Sequence, residues 1–255
     1  MKIGAQTYTV REFMKTPQEI RSSFKKIKEI GFDIVQLSGL GPIDADELAG
    51  ILKDNALNAV LTHSPWERVG NKDELKKLID DHKKWGCIQI GIGKKPPLYP
   101  DTYEGYTDFI KKVNEICDQV EDAGLSFGYH NHEFEFERFN GVCALDRLIN
   151  ECPKLKFILD VFWVQAGGAN PCLYIEKLKD RIDVLHLKDY RMIGKTRQFA
   201  EIGQGNLDWK GIFASCEKTN IPYAVIEQDA DFISDPFDSL ALSRQFLLNF
   251  NKDFF

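Results

Sequence analysis

The stretch Tyr129-His130-Asn131-His132-Glu133-Phe134-Glu135 places two of the chain's five histidines and two carboxylates side by side. An apolar run, Leu125-Ser126-Phe127-Gly128, leads into it. Titratable groups at that density, at the end of a strand-like run, point to proton transfer or metal binding rather than to packed core. Three other stretches have the same form: Leu159-Asp160 with Trp163, His186-Leu187-Lys188-Asp189, and Ile226-Glu227-Gln228-Asp229. Side chains alternate between faces along a strand. Ile158 therefore shares a face with Asp160, Val184 with His186 and Lys188, and Val225 with Glu227 and Asp229. If these faces turn inward, a carboxylate, an imidazole and a second carboxylate point into one space from consecutive strands. One imidazole among several carboxylates suits Mn²⁺, Mg²⁺, Co²⁺ or Fe²⁺ better than a structural zinc, which prefers Cys and His. A single Asp at a strand end more often caps a helix or pairs with a cation, so the reading rests on the joint placement.

The elements that must position these residues alternate throughout. Short apolar runs at residues 3–8, 34–37, 59–62, 88–92, 125–130, 157–161, 184–187 and 223–228 read as eight strands. Segments of helical period at residues 17–30, 44–55, 72–85, 106–123, 144–151, 173–180, 209–219 and 236–250 lie between and after them. In the first helix Ile20, Phe24, Ile27 and Ile30 fall on one face, and Gly31 is its stop signal. Strict alternation implies parallel strands joined by right-handed crossovers. Eight such units fill 255 residues, so the expectation is a (β/α)8 TIM barrel in a single domain spanning residues 1–255. An open doubly wound sheet is the alternative, but Thr7-Tyr8-Thr9-Val10-Arg11 after the first strand is no glycine-rich phosphate turn. The loops after strands, at residues 64–71, 93–105, 131–143, 162–171 and 190–208, are long, and those after helices are short. Loops of the first kind gather on the C-terminal face of a barrel, where active sites are built.

Composition narrows the partners. With 43% hydrophobic and 28% charged residues the chain reads as globular, and a net charge of -6 gives no general attraction to a phosphate backbone. No nucleic-acid or membrane partner is expected. The opening residues read as a strand rather than a secretory h-region, which favours a cytoplasmic location. Six scattered cysteines with no C-x-x-C pair are expected to be reduced thiols.

Taken together the chain resembles the xylose isomerase-like barrels, in the sugar phosphate isomerase/epimerase branch. The matching pieces are His63-Ser64, Tyr129-His130-Asn131-His132, Asp160-Val161-Phe162-Trp163, His186-Leu187-Lys188-Asp189, the run from Glu201 to Trp209, and Ile226-Glu227. The resemblance implies a divalent metal (Mn²⁺, Mg²⁺, Co²⁺ or Zn²⁺) held by a Glu after strand five, then by Asp160, His186 and Glu227. The first of these ligands has no direct counterpart, because His130-Asn131-His132 stands where many relatives have Glu-Asn-His. Either His130 replaces the carboxylate, or Glu133, Glu135 or Glu137 reaches back, with Glu135 favoured. The implied chemistry removes a proton next to a sugar carbonyl to form an enediolate, with Glu227 as ligand and base and with Glu135, His130 or His132 as its acid/base partner. An imidazole titrating at about 6.5 suits such a role.

His63, His132, Trp163, Lys188 and Glu201 are expected to contact a small sugar or sugar derivative. Pairing of Lys188 with Asp189 or Asp160 is the equal alternative, and Trp66 and Trp163 either stack on a sugar ring or belong to the core. His82, among lysines and aspartates, reads as surface, and Asp208 reads as the N-cap of the helix at Trp209. A lyase or hydrolase acting on 3-oxo-glycosides by the same proton abstraction is the near alternative. An endonuclease IV-like repair enzyme and a non-catalytic sugar-binding barrel stand further off. The aromatic tail, residues 246–255, is expected to dock on the barrel or at a homo-oligomer contact.

Overall fold

The structure is a computed structural model that describes the backbone of residues 1–254 and the side chains of residues 1–250. Eight parallel strands close into a barrel: β1 (Lys2–Gln6), β2 (Ile34–Leu37), β3 (Asn58–His63), β4 (Gln89–Ile92), β5 (Ser126–His130), β6 (Lys156–Asp160), β7 (Ile182–Leu187) and β8 (Tyr223–Ile226). β1 pairs with both β2 and β8, so the sheet has no open edge. Around it run α1 (Pro17–Ile30), α2 (Ala45–Asp54), α3 (Lys72–Trp85), α4 (Tyr103–Asp122), α5 (Ala144–Glu151), α6 (Pro171–Leu178), α7 (Trp209–Cys216) and α8 (Pro236–Phe254). Short helices at Trp66–Val69 and Val161–Ala166 and small hairpins, Arg138–Phe139 with Val142–Cys143 and Asp189–Ile193 with Thr196–Ala200, belong to the loops after strands.

Local chemistry sets the helix ends. Thr16 and Glu19 form a reciprocal capping box at the start of α1, Pro17 opens it, and Gly31 closes it in the left-handed region at φ 103°. Asp44 and Asn71 cap α2 and α3 through their side chains. As expected, Asp208 caps α7, accepting from Gly211 N at 3.0 Å.

Two cores follow from the alternation of faces. The larger lies between strands and helices and holds Phe24, Ile27, Val35, Phe109, Phe127, Leu159 and Leu185. The smaller fills the barrel's interior with Ile34, Val60, Leu61, Ile158, Val184 and Val225. Gly4, Gly91 and Gly128 complete this inner layer where there is no room for more. A Cβ on Gly91 would lie 2.6 Å from both Ile158 Cδ1 and the Thr62 carbonyl oxygen. Ile158 thus covers the hollow beside two glycine-bearing strands. Two residues beyond this layer, on the same inward faces, stand Gln6, Gln36, His63, Gly93, His130, Asp160, His186 and Glu227. That upper ring is the floor of the C-terminal mouth.

Some expectations need correction. Strand one ends at Gln6 rather than at residue 8, because a 3-10 turn over Thr7–Phe13 begins there. Gln6 caps it by accepting from Tyr8 N, and Thr7 Oγ1 donates to the Ser38 carbonyl at 2.7 Å. His82 is buried, not on the surface. It lies on α3 in line with Leu75, Leu78 and Ile79, where it meets the Leu78 carbonyl at 2.8 Å and Thr62 Oγ1 at 2.9 Å. Burial lowers its pKa to about 4. In the tail Leu247 is buried and Phe246 and Phe250 pack on the outer core, while the side chains of Phe254 and Phe255 lie outside the described residues. All six cysteines are free thiols, and all but Cys172 are buried.

Candidate active site

Four buried side chains converge at the mouth: His130, Asp160, His186 and Glu227, each offering a ligand atom within 4.8 Å of the others. His130 Nε2 is 3.3 Å from Asp160 Oδ2, which is 3.9 Å from His186 Nδ1, which is 2.9 Å from Glu227 Oε2. Donors about 2.1 Å from a common centre in a tetrahedron stand roughly 3.4 Å apart, so these separations fit one ion.

The outer partners of the imidazoles point the same way. His130 Nδ1–H donates to the Gly93 carbonyl at 3.1 Å, which leaves Nε2 to face Asp160. His186 Nε2 lies 2.7 Å from Gln36 Oε1, which leaves Nδ1 to face Glu227. A ring nitrogen that faces a carboxylate while its partner nitrogen is held from outside is placed either to donate as an imidazolium or to bind a cation, and such second contacts are how metal-binding imidazoles are held. Asp160 is fixed by its other oxygen, which accepts from Phe162 N and Trp163 N as the N-cap of the Val161–Ala166 helix. Its backbone N–H donates to Asn131 Oδ1.

Lys188 stands over this ring. Its Nζ lies 2.9 Å from Glu227 Oε2, 3.0 Å from Asp229 Oδ2 and 3.3 Å from Asp160 Oδ2. Burial alone would raise the Asp160 and Glu227 carboxyls, but Lys188 together with His130 and His186 outweighs it and holds both below the usual carboxylate range, Glu227 well below. Burial would lower the Lys188 ammonium, yet Glu227, Asp160 and Asp229 together raise it. Three carboxylates around one ammonium leave surplus negative charge in the chamber, as a divalent cation site requires. Burial lowers His186, whereas Asp160 overcomes burial at His130 and raises it.

Above the ring is a cavity of about 380 Å³ lined by Arg11, His63, His130, His132, Lys188 and Glu227 among others. Burial keeps His63 and His132 neutral, His132 with a pKa of about 3. His63 Nε2 and His132 Nδ1 are buried without a hydrogen-bond partner, as is Trp163 Nε1. Unpartnered polar atoms at a cavity are what a polyhydroxylated ligand would satisfy.

The match to the family described as xylose isomerase-like TIM barrel covers residues 24–244. The chain belongs to this family. Among solved structures it is similar to a sugar phosphate isomerase/epimerase from Parabacteroides distasonis ATCC 8503, with a TM-score of 0.78 and 21% identity, covering 96% of this chain and 93% of that one. A structure of L-ribulose 3-epimerase matches with a TM-score of 0.74 at 15% identity, covering 98% and 94%. The IolI protein with a bound zinc atom matches with a TM-score of 0.73 at 13% identity, covering 100% and 99%. No curated protein sequence matches this chain. At these identities the likeness establishes the barrel.

Within the family fold, two expected site residues lie elsewhere. Glu135 is fully buried behind the ring, not in it: one oxygen accepts from the Tyr129 hydroxyl and the other from His132 N at 2.7 Å. The loop that carries it turns through Phe134–Phe136 and aims its carboxylate back at strand five. His130 stands in the ring instead. Glu201 does not line the cavity: it accepts from Ser239 Oγ at 2.6 Å and Ile233 N at 3.1 Å, tying its loop to the segment before α8. Asp189 leaves Lys188 alone and accepts from Gly203 N, Gly205 N, Leu207 N and Trp209 Nε1. Trp163 lies beneath Lys188, with the ammonium 5.3 Å from its ring centroid. Gln36 and Asn131 join the site without having been expected there; Gln36 follows inward-facing Ile34 by two residues, so the same rule of alternation reaches it.

Proposed function

We propose that this protein is a divalent-metal-dependent sugar isomerase or epimerase that removes a proton next to a carbonyl. The observation that carries the reading is the convergence of His130, Asp160, His186 and Glu227 at the barrel mouth. The structural neighbours named for sugar isomerase and epimerase activities support it. His130, Asp160, His186 and Glu227 would hold the ion, with His130 in the place first expected of Glu135. When bound, the ion supplies charge stabilisation for an enediolate oxygen. Glu227, held ionised by Lys188 and His186 together, takes the proton as the general base. Lys188 neutralises charge that develops near Glu227, and His132 and His63 bind sugar hydroxyls through their unpartnered nitrogens. His132, neutral and lining the same cavity, would hydrogen-bond the substrate, and Glu227 would hand the proton it has taken back to the neighbouring carbon.

Elemental analysis of the purified protein, paired with Glu227→Gln, tests the proposal. The expected result is about one divalent ion per chain, with exchange of a ketose α-proton against D₂O followed by NMR and slowed at least ~10²-fold by the substitution. Metal-free wild-type preparations that still exchange the proton would sink the mechanism.

A further inference from the structure

A second cavity, of about 410 Å³, adjoins the metal chamber, and Gly93 and Lys94 line both. Its character differs. Trp66, Ile92, Pro96, Pro97 and Leu98 form its walls. Trp66 is held by Tyr99 and Phe109, with ring centroids 5.8 and 5.9 Å away, so the indole is in place before any ligand arrives. Leu98 follows two prolines and is 60% exposed. An exposed leucine beside an ordered indole is apolar surface that a ligand would cover, and a proline-stiffened wall loses little freedom on binding.

The two cavities meet at Gly93, which has no side chain. A Cβ on Gly93 would lie 3.3 Å from His63 Nδ1, pressing on the ring that lines the chamber. The Gly93 carbonyl accepts from His130 Nδ1, so the backbone shared by the two cavities also supports the His130 ring. A bare monosaccharide presents hydroxyls on its faces and edges and would leave the Trp66–Leu98 shelf wet.

We infer that the substrate is a sugar carrying an apolar aromatic substituent, with the sugar in the metal chamber and the substituent on the Trp66–Leu98 shelf. This rests on the reading of the chamber as a sugar site. It assigns the β3 and β4 loops the role of selecting the substituent, apart from the chemistry on β5 to β8.

The test uses full-length protein loaded with Mn²⁺ and titrated with phenyl β-D-glucoside and methyl β-D-glucoside by ligand-observed NMR. Leu98→Asn is run alongside, because an exposed side chain can be changed without disturbing the core. The phenyl compound is expected to bind about tenfold more tightly than the methyl compound. Leu98→Asn should remove most of that difference and leave methyl glucoside binding unchanged. Equal affinities, failure of both to bind, or a Leu98→Asn effect on both compounds alike would overturn the shelf. Paramagnetic broadening separates the two readings. Sugar protons broadened more than phenyl protons support the placement, whereas phenyl binding without sugar broadening overturns the sugar in the chamber while the shelf remains a site.

Discussion

Lys188 Nζ stands within 3.3 Å of carboxylate oxygens from Asp160, Glu227 and Asp229, in a position only 2% exposed. Removing the ammonium would leave buried carboxylates facing one another with no counter-charge. Lys188→Met is therefore expected to destabilise the metal-free protein by about 3–5 kcal/mol, and added Mn²⁺ should recover part of the loss. Thermal melts with and without Mn²⁺ check this, and an unchanged metal-free melt would refute it. Glu135 makes a different kind of case. Burial raises its carboxyl to about 7. A raised acid binds its proton more tightly in the folded state, so its contribution is fully present below the unfolded pKa of about 4.5 and is lost as pH rises through about 7. The gap spans about 2.5 units, or roughly 3 kcal/mol. Glu135→Gln should accordingly gain stability relative to the wild type between pH 4.5 and 7, then run parallel above, as urea melts at stepped pH would record. The direction of Glu135 was not legible, because alternation fixes side chains in strands and not in the loop beyond. His130 was legible: it follows inward-facing Gly128 by two residues, as Asp160 follows Ile158.

At the scale of elements, the loop from β7 to α7 hangs on one carboxylate. Asp189 opens the hairpin and gathers Gly203 N, Gly205 N, Leu207 N and Trp209 Nε1 at its end. Gly205 fits because a Cβ there would meet Asp189 Oδ1 at 2.2 Å. Asp189→Ala would orphan several donors at once, at about 2–4 kcal/mol. Amide hydrogen exchange should accelerate over residues 203–209 and leave β1 to β4 protected. If exchange stays slow there, the carboxylate is not what holds the loop. The glycine turn and the cap at Asp208 are legible in the sequence, but the strands within residues 190–208 are not. Its hairpin pairs exposed residues such as Met192 and Ile193, so it lacks the buried face that makes a strand readable.

For the whole molecule, the alternation of apolar runs and helical segments made the barrel readable, since each strand is covered on its outer face by a helix and packs inward on Ile34, Leu61, Ile158, Val184 and Val225. The same alternation put Asp160, His186 and Glu227 one layer above that interior. What it could not convey was how the loops fold over the mouth, which decided Glu201 and Glu135. The barrel also sorts its histidines: His63, His130, His132 and His186 crowd together with ring centroids 4.7 to 5.5 Å apart, and only His82 lies elsewhere. The chain consequently carries its own isotopic reporters. Nitrogen-15 histidine labelling alone would give a spectrum of five imidazoles, four from the chamber and one internal reference locked between Leu78 and Thr62. Titration with diamagnetic Zn²⁺ should move the His130 and His186 resonances strongly and leave His82 where it is, reading out occupancy of the site without altering a single residue.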